Sequence, residues 1–261
     1  MLNVNLELLL SKFNCYEFIE DTHKYLYNGC PVTTSVTSFI SKYFPEFDTE
    51  NISIKYAQKH NMNVEDVRND WKKKGDISSI AGTIIHSHLE NLKRGKRLQL
   101  DYSKAKELNL LNEVKERVDI LLPKAEKFHY ESLNKLFPIK LEYTVGINDK
   151  LAGNVDMLCW NEKMKELQIW DYKNTKGIVT ENNYNQFCYA PFNMLYDCNY
   201  YHYCMQLNFY KAIIVRQLGL QIGKMYLVSF DYAIPGNDYK LYECLDLQNI
   251  CMKELDKLYE K

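Results

Sequence analysis

The alternation of apolar and polar residues is clearest in the middle of the chain, where it predicts a strand hairpin. The segments LAGNVDMLCW (151–160) and ELQIWDYK (166–173) alternate or stay apolar over strand lengths, and the polar turn NEKMK joins them. A third strand is predicted just before them, at about 139–146. Together these segments predict a three-stranded meander at the centre of the fold.

Helical spacing surrounds this meander on both sides. Residues 16–37 alternate weakly and predict a hairpin, after which helical spacing runs from Val36 to about Arg97. A long amphipathic pattern follows at 103–136, interrupted at Pro123. The elements after the meander are a helix at about 200–218, strands at 223–233 and 239–246, and a terminal helix at 247–260. This order of elements predicts an α/β fold.

Two aspartates oppose each other in the predicted hairpin. A register symmetric about Lys163 and Met164 places Asp156 directly across from Asp171, with Cβ atoms about 5 Å apart, where like charges repel. The face that they share is otherwise apolar and carries Leu158, Trp160, Leu167 and Ile169. Carboxylates on such a surface need a cation, and Lys173 supplies one positive charge. We expect Mg²⁺ or Mn²⁺ to supply the rest, because these ions prefer carboxylate oxygens.

Composition and charge narrow the class of protein. Of the 261 residues, 46% are hydrophobic and 26% are charged, and the net charge is −1, which indicates a globular chain without a broad basic face. No apolar run approaches the ~20 residues that span a membrane, and the N-terminus lacks a basic n-region, so we expect neither membrane association nor secretion. Eight cysteines without paired spacing favour reduced thiols in the cytoplasm, or in a host-cell compartment if the protein is viral.

Three motifs occur in a fixed order across residues 82–210. They are Gly82-Thr83-Ile84-Ile85-His86-Ser87-His88-Leu89-Glu90, then Gly153-Asn154-Val155-Asp156 with Asp171-Tyr172-Lys173, then Gln206-Leu207-Asn208-Phe209-Tyr210. This series resembles the PD-(D/E)XK nuclease superfamily, in particular its RecB-like exonuclease branch of phage, viral or mitochondrial genome-maintenance type. The resemblance implies a restriction-endonuclease-like αβββαβ core over residues 81–261, with a mixed central sheet flanked by helices. We assign residues 1–80 to an N-terminal hairpin and helical cap.

The resemblance also assigns roles to particular side chains. It implies catalysis by Asp156, Asp171 and Lys173. Metal ligation is implied for His86, Asp156, Asp171 and Glu142, which lies in the predicted strand at about 139–146. Substrate contacts fall on Gln206 and Tyr210, and the basic residue Lys176 is added to them because it follows Lys173 closely. An iron–sulfur cluster is not expected, since Cys188, Cys198 and Cys204 lack a close C-x-x-C run and precede the Gln206–Tyr210 motif.

The function that the resemblance implies is metal-dependent hydrolysis of DNA from its ends, in replication, recombination or repair. The expected partners are DNA that is single-stranded or has free ends, and a replication or recombination protein. Basic clusters at 72–74 and 93–97 are candidates for contact with DNA. Three alternatives stay open: an endonuclease of the defence type that reads DNA structure or sequence, a DNA-binding protein that does not cut, and a glycosidase that uses the paired acids.

A segment rich in tyrosine and asparagine lies between Lys173 and the Gln206–Tyr210 motif. Its length, about 25 residues without predicted secondary structure, suggests a functional loop. Its aromatic residues are able to stack on unpaired bases, so we expect it to arch over the site and admit a threaded strand. The alternative is that these side chains only pack the loop against the helical cap.

Overall fold

The computed structural model describes residues 4–96, 99–132 and 135–259, and Arg97 of the second basic cluster lies outside these ranges. The helices are α1 (Val4–Leu10), α2 (Val36–Ser41), α3 (Thr49–His60), α4 (Val64–Lys93), α5 (Ser103–Glu107), α6 (Leu111–Ser132), α7 (Asn199–Leu218) and α8 (Gln248–Asp256). The strands are β1 (Tyr16–Ile19), β2 (Lys24–Tyr27), β3 (Cys30–Pro31), β4 (Thr34–Ser35), β5 (Leu136–Ile147), β6 (Leu151–Asn161), β7 (Glu166–Thr175), β8 (Ile222–Asp231) and β9 (Lys240–Glu243).

The larger of two sheets is built around the predicted meander. Strands β5, β6 and β7 pair antiparallel in chain order, and β8 then pairs parallel with β7 because α7 crosses between them. Strand β9 pairs antiparallel with β8, and the short β4 pairs parallel with the start of β6. Strands β1, β2 and β3 form a separate antiparallel sheet.

Helices cover both faces of the large sheet. Apolar side chains of α4 and α6 pack on one face, together with Met157 and Trp170 of the meander. Those of α2, α7 and α8 pack on the other face, where Leu158 and Ile169 lie as the strand alternation predicts. An α/β fold with a mixed sheet flanked by helices is therefore confirmed.

The first 80 residues are joined to the rest more closely than predicted. Helix α4 continues through Gly75 and Gly82 from Val64 to Lys93, so the boundary expected after residue 80 falls inside a helix. A glycine inside a helix costs about 1 kcal/mol, which packing of α4 against α6 and β7 outweighs. In addition, α2 packs into the same core as α7.

The interruption predicted at Pro123 is absent from α6, which runs without a break from Leu111 to Ser132. Pro123 lies on the exposed side of the helix, so the carbonyl that loses its hydrogen-bond donor faces water. The pattern of apolar residues on the opposite side is therefore enough to keep the helix continuous.

A buried lysine ties α6 to the turn between β8 and β9. Lys124 is fully buried, and its Nζ donates to the backbone carbonyls of Ile234 at 2.9 Å and Gly236 at 2.7 Å. About one helical turn further along α6, Lys127 forms an exposed ion pair with Asp238 at 2.6 Å. The two lysines reach the same turn, one from inside the core and one from its surface.

We expect Lys124→Met to lower the free energy of unfolding by about 2–4 kcal/mol, because buried carbonyls lose a charged donor. Lys127→Met is the matched control and should cost at most about 1 kcal/mol, as exposed ion pairs do. Urea denaturation of both variants measures the difference. Equal and small losses would show that the buried contacts of Lys124 contribute nothing to stability.

Candidate metal centre

A gap in the large sheet forms the centre of the site. Strands β6 and β7 pair from Asn161 and Glu166 as far as Met157 and Trp170, in the register predicted for the hairpin. Strand β5 pairs along one edge of β6. Strands β7 and β4 pair along the opposite edge, β7 near the end of β6 and β4 at its start. Residues 153–156 of β6 lie between the two ladders, and the continued register places Asp156 opposite Asp171, one step beyond the last ladder pair.

The backbone of Tyr172 orients two of the predicted ligands. Its N–H donates to Asp156 Oδ2 at 2.7 Å, and its carbonyl oxygen lies 3.0 Å from His86 Nε2. Because a carbonyl oxygen only accepts, Nε2 carries the imidazole proton. In this tautomer the Nδ1 atom of His86 presents a lone pair, 3.5 Å from Asp156 Oδ2 and 4.0 Å from Glu142 Oε1.

Glu142 reaches the gap from β5 through an unusual backbone conformation. It lies across from Asp156, between the ladder pairs made by Leu141 and Tyr143, and its φ of +47° is left-handed. For a residue other than glycine this conformation costs about 1–2 kcal/mol. The Nδ2 atom of Asn154 donates to Glu142 Oε2 at 2.5 Å and so fixes the carboxylate.

His86, Glu142 and Asp156 together make a set that fits a divalent cation. Their nearest ligand atoms all lie within 4.8 Å of one another. Burial, together with the charges of Asp156 and Glu90, raises the pKa of Glu142 to about 9. One imidazole and two carboxylates that disfavour each other's charge are surroundings in which a divalent cation can take the place of a proton.

Asp171 lies beside this set and is held by Lys173. The two side chains form an ion pair of 2.7 Å, and Asp171 is only 2% exposed. Burial raises the pKa of Asp171 to about 6, although the charge of Lys173 opposes that rise. Burial alone would lower the pKa of Lys173, but Asp171 and Asp156 raise it, so the lysine is held as a cation. Asp171 is also a predicted metal ligand, and here its carboxylate lies against Lys173.

The predicted motif on α7 supports Lys173 from the other side. Lys173 Nζ donates to Gln206 Oε1 at 3.3 Å, and Gln206 Nε2 donates to the hydroxyl of Tyr210 at 2.7 Å. Tyr210 is 2% exposed and packs on Gly153, where an added Cβ would come within 2.3 Å of its ring. Tyr210 therefore positions Gln206 from inside the core. Of the three predicted substrate contacts, Lys176 is the exposed one.

Tyr25 is a site residue that the sequence analysis missed. It belongs to β2 in the N-terminal sheet, and burial raises its pKa to about 12, with the charges of Asp156 and Glu142 acting in the same direction. No local motif marks this tyrosine, because its position beside the carboxylates depends on how the small sheet packs against β5. Another acidic residue, Glu90, lies one helical turn after His86 on α4 and forms an ion pair with Arg94 at 2.5 Å.

The aromatic segment after β7 divides into a packed part and an exposed part. Phe192 is fully buried against Tyr43 and Phe209, as the packing alternative expects. Tyr184 is 85% exposed and Tyr189 is 54% exposed. Other exposed or partly exposed rings of the segment are Phe187 and Tyr196, which stack on each other. Tyr200, Tyr201 and Tyr203 lie on α7, and the ring of Tyr203 lies 4.7 Å from Lys173 Nζ.

We expect the metal-free protein to lose stability as the pH rises from about 5 to about 9. The pKa of Glu142 is raised above its ordinary value, so its stabilising contribution is complete below about pH 4.5 and falls as the pH passes through about 9. The side chain is 31% exposed, so water screens the effect and we expect about 1–2 kcal/mol.

Glu142→Gln should remove most of this pH dependence and raise the melting temperature without metal at pH 8. It should also reduce the further rise that Mn²⁺ produces in the wild-type protein. Glu181→Gln, at an exposed glutamate, is the control and should leave both quantities unchanged. Melting curves with EDTA and with Mn²⁺ at pH 5 and pH 8 test this, and equal pH dependence in all three proteins would contradict it.

Comparisons with known proteins add little to this description. No protein-family model and no curated protein matches the chain. The crystal structure of SSO0001 is similar at 15% identity over 70% of this chain and 84% of that chain, with a TM-score of 0.28, which is too low to carry an argument. Within residues 4–96, 99–132 and 135–259, no helix has the length and apolar character needed to cross a membrane.

Proposed function

We propose that this chain is a DNA nuclease that depends on Mg²⁺ or Mn²⁺ and belongs to the RecB-like branch of the PD-(D/E)XK superfamily. One observation carries the proposal. A histidine and two carboxylates that fit a divalent cation lie beside Lys173, a lysine that is 18% exposed and is held as a cation by Asp171. A divalent cation and an ammonium group at one site can stabilise the negative charge that develops when water attacks a phosphodiester bond.

The arrangement of elements supports the same proposal. Helix α4, strands β5 to β7, helix α7 and strand β8 occur in the αβββαβ order of the nuclease core, with α5 and α6 inserted between α4 and β5. The three motifs fall on α4, on β6 and β7, and on α7, and all of them face the gap between β6 and β7. A restriction-endonuclease-like core explains why motifs separated by more than 100 residues share one site.

Each side chain has a distinct part in the proposed reaction. A divalent ion held by His86, Glu142 and Asp156 would polarise the phosphate and lower the pKa of an attacking water. The ammonium of Lys173 lies where it can stabilise the negative charge that develops on the phosphate oxygens. Because Asp171 keeps Lys173 protonated, this role suits the lysine better than removal of a proton from water.

Action at a free, unpaired DNA end is the form of the activity that we propose. The net charge of −1 gives little general attraction for duplex DNA, where phosphate contacts supply most of the affinity. The exposed rings of Tyr184 and Tyr189 follow β7 in the chain and offer flat surfaces for unpaired bases. An endonuclease is the alternative that the substrate test below separates.

We expect Lys173→Ala and Asp156→Asn to reduce cleavage of labelled linear DNA in Mn²⁺ by at least about 100-fold, the usual loss when a group that stabilises transition-state charge is removed. Lys163→Ala and Asp149→Asn alter exposed residues of the same types in turns of the meander and serve as controls. Chelation by EDTA should abolish cleavage by the wild-type protein. Full activity in both site variants would reject the site.

The threading of a strand is tested with circular and linear single-stranded DNA of equal length. We expect the wild-type protein to degrade the linear form and to spare the circle. Tyr184→Ala should weaken binding of the linear form by about 1–3 kcal/mol, the value of one stacked base. Tyr130→Ala, which removes another exposed tyrosine, on α6, is the control. Comparable loss of linear and circular DNA would establish an endonuclease.

A further inference from the structure

A cavity of about 520 Å³ lies directly beside the candidate metal centre, and we call it the β5 cavity. It is bounded by residues 13–16, by the C-terminal end of α4, and by β5 from Pro138 to Thr144. Glu142 forms part of its wall and also belongs to the metal set, so the cavity adjoins the site. Its volume is within the range of about 300–1,000 Å³ that small-molecule ligands occupy.

Three cationic side chains line this cavity. Lys140 projects from β5, and Lys93 and Arg94 come from the end of α4. Lys93 Nζ is committed to the hydroxyl of Ser132 at 2.9 Å, and Arg94 pairs with Glu90 at 2.5 Å. The guanidinium of Arg94 has further donors, because it carries five N–H groups. Lys140 and Arg94 are thus the two groups best suited to hold an anion such as a phosphate.

Two aromatic residues of the N-terminal segment line the same cavity as these cations and form its aromatic wall. Phe13 and Tyr16 both line the cavity, and their ring centroids lie 5.9 Å apart. Tyr16 is fixed at both ends, since its hydroxyl donates to the carbonyl of Asn148 at 2.9 Å and its ring packs on Gly146. An added Cβ at Gly146 would lie 2.5 Å from that ring, so only glycine leaves room for it. Aromatic rings and cations in one cavity suit a ligand that has both a flat ring and an anionic group.

We propose that the β5 cavity is a subsite for one nucleotide of a DNA strand, next to the phosphate that is cleaved at the metal centre. Its phosphate lies against Lys140 and Arg94, and its sugar and base lie against Phe13 and Tyr16. This inference rests on the nuclease function proposed above. It gives the N-terminal segment a direct part in holding substrate, although that segment carries none of the metal ligands.

Equilibrium binding of thymidine 5′-monophosphate to the full chain in EDTA tests the subsite without any need for cleavage. We expect saturable binding, and a dissociation constant at least about 10-fold higher in Lys140→Ala and Arg94→Ala, since each removes a charge-assisted contact. Lys163→Ala, on the far hairpin turn, is the control and should bind as the wild type does. Circular dichroism melting confirms that each variant is folded.

Two further ligands, thymidine and inorganic phosphate, test the base and phosphate contacts of the nucleotide separately. Thymidine, which has no phosphate, should bind at least about 10-fold more weakly than the monophosphate, because the cations have nothing to pair with. Inorganic phosphate should also bind more weakly, because the aromatic wall has nothing to contact. If phosphate alone binds as tightly as the nucleotide, the assignment of a nucleotide subsite is wrong.

Cleavage assays run in parallel distinguish failure of this inference from failure of the proposed function. If the wild type cleaves DNA but Lys140→Ala and Arg94→Ala bind the nucleotide as tightly as the wild type, the subsite is rejected and the nuclease stands. If the wild type cleaves nothing in Mg²⁺ or Mn²⁺, the nuclease is rejected, and the subsite as a place for substrate DNA is rejected with it. A raised KM for DNA in both variants supports the subsite.

Discussion

Repulsion between carboxylates is the constraint around which the centre of this fold is built. Glu142, Asp156 and Asp171 come from three neighbouring strands and meet at a site where both aspartates are buried. Like charges this close disfavour ionisation, so the metal-free site must protonate, pair or separate its acids. It uses all three means, since Asp171 pairs with Lys173, Glu142 holds its proton, and the ladder between β6 and β7 opens beside Asp156.

The surrounding structure keeps this unfavourable arrangement in place. Helix α4 delivers His86 from one face of the sheet, and α7 delivers Gln206 to Lys173 from the other. The left-handed backbone at Glu142 is a second local cost, and the hydrogen bond from Asn154 offsets part of it. Such costs are tolerated when the rest of the fold is stable enough, and they are concentrated at sites that bind ions or substrate. A bound cation would relieve the repulsion without moving any of these elements.

The parts of the site that could be predicted from the sequence are those set by short-range rules. Strand alternation and a symmetric turn were sufficient for the register of the hairpin, and so for the meeting of Asp156 with Asp171. Helical spacing put His86 on the correct helix but could not show that α4 continues through residue 80, because two glycines interrupt its local preference. The role of Asp171 depends on the direction of the Lys173 side chain, which Gln206 and Tyr203 decide from a distant helix. Tyr25 and the β5 cavity depend wholly on how the N-terminal sheet packs on β5, and no spacing in the sequence encodes that contact.

The peptide groups on either side of the Tyr172 side chain connect the two chemically different ligands His86 and Asp156. Because the link is made by main-chain atoms, replacing the tyrosine ring would leave both hydrogen bonds in place, and a survey of side chains would pass over the residue. The backbone position of β7 therefore sets the geometry of the site. A small shift of β7 along α4 would move the imidazole and the carboxylate together. The affinity for a cation would therefore depend on the position of this one strand.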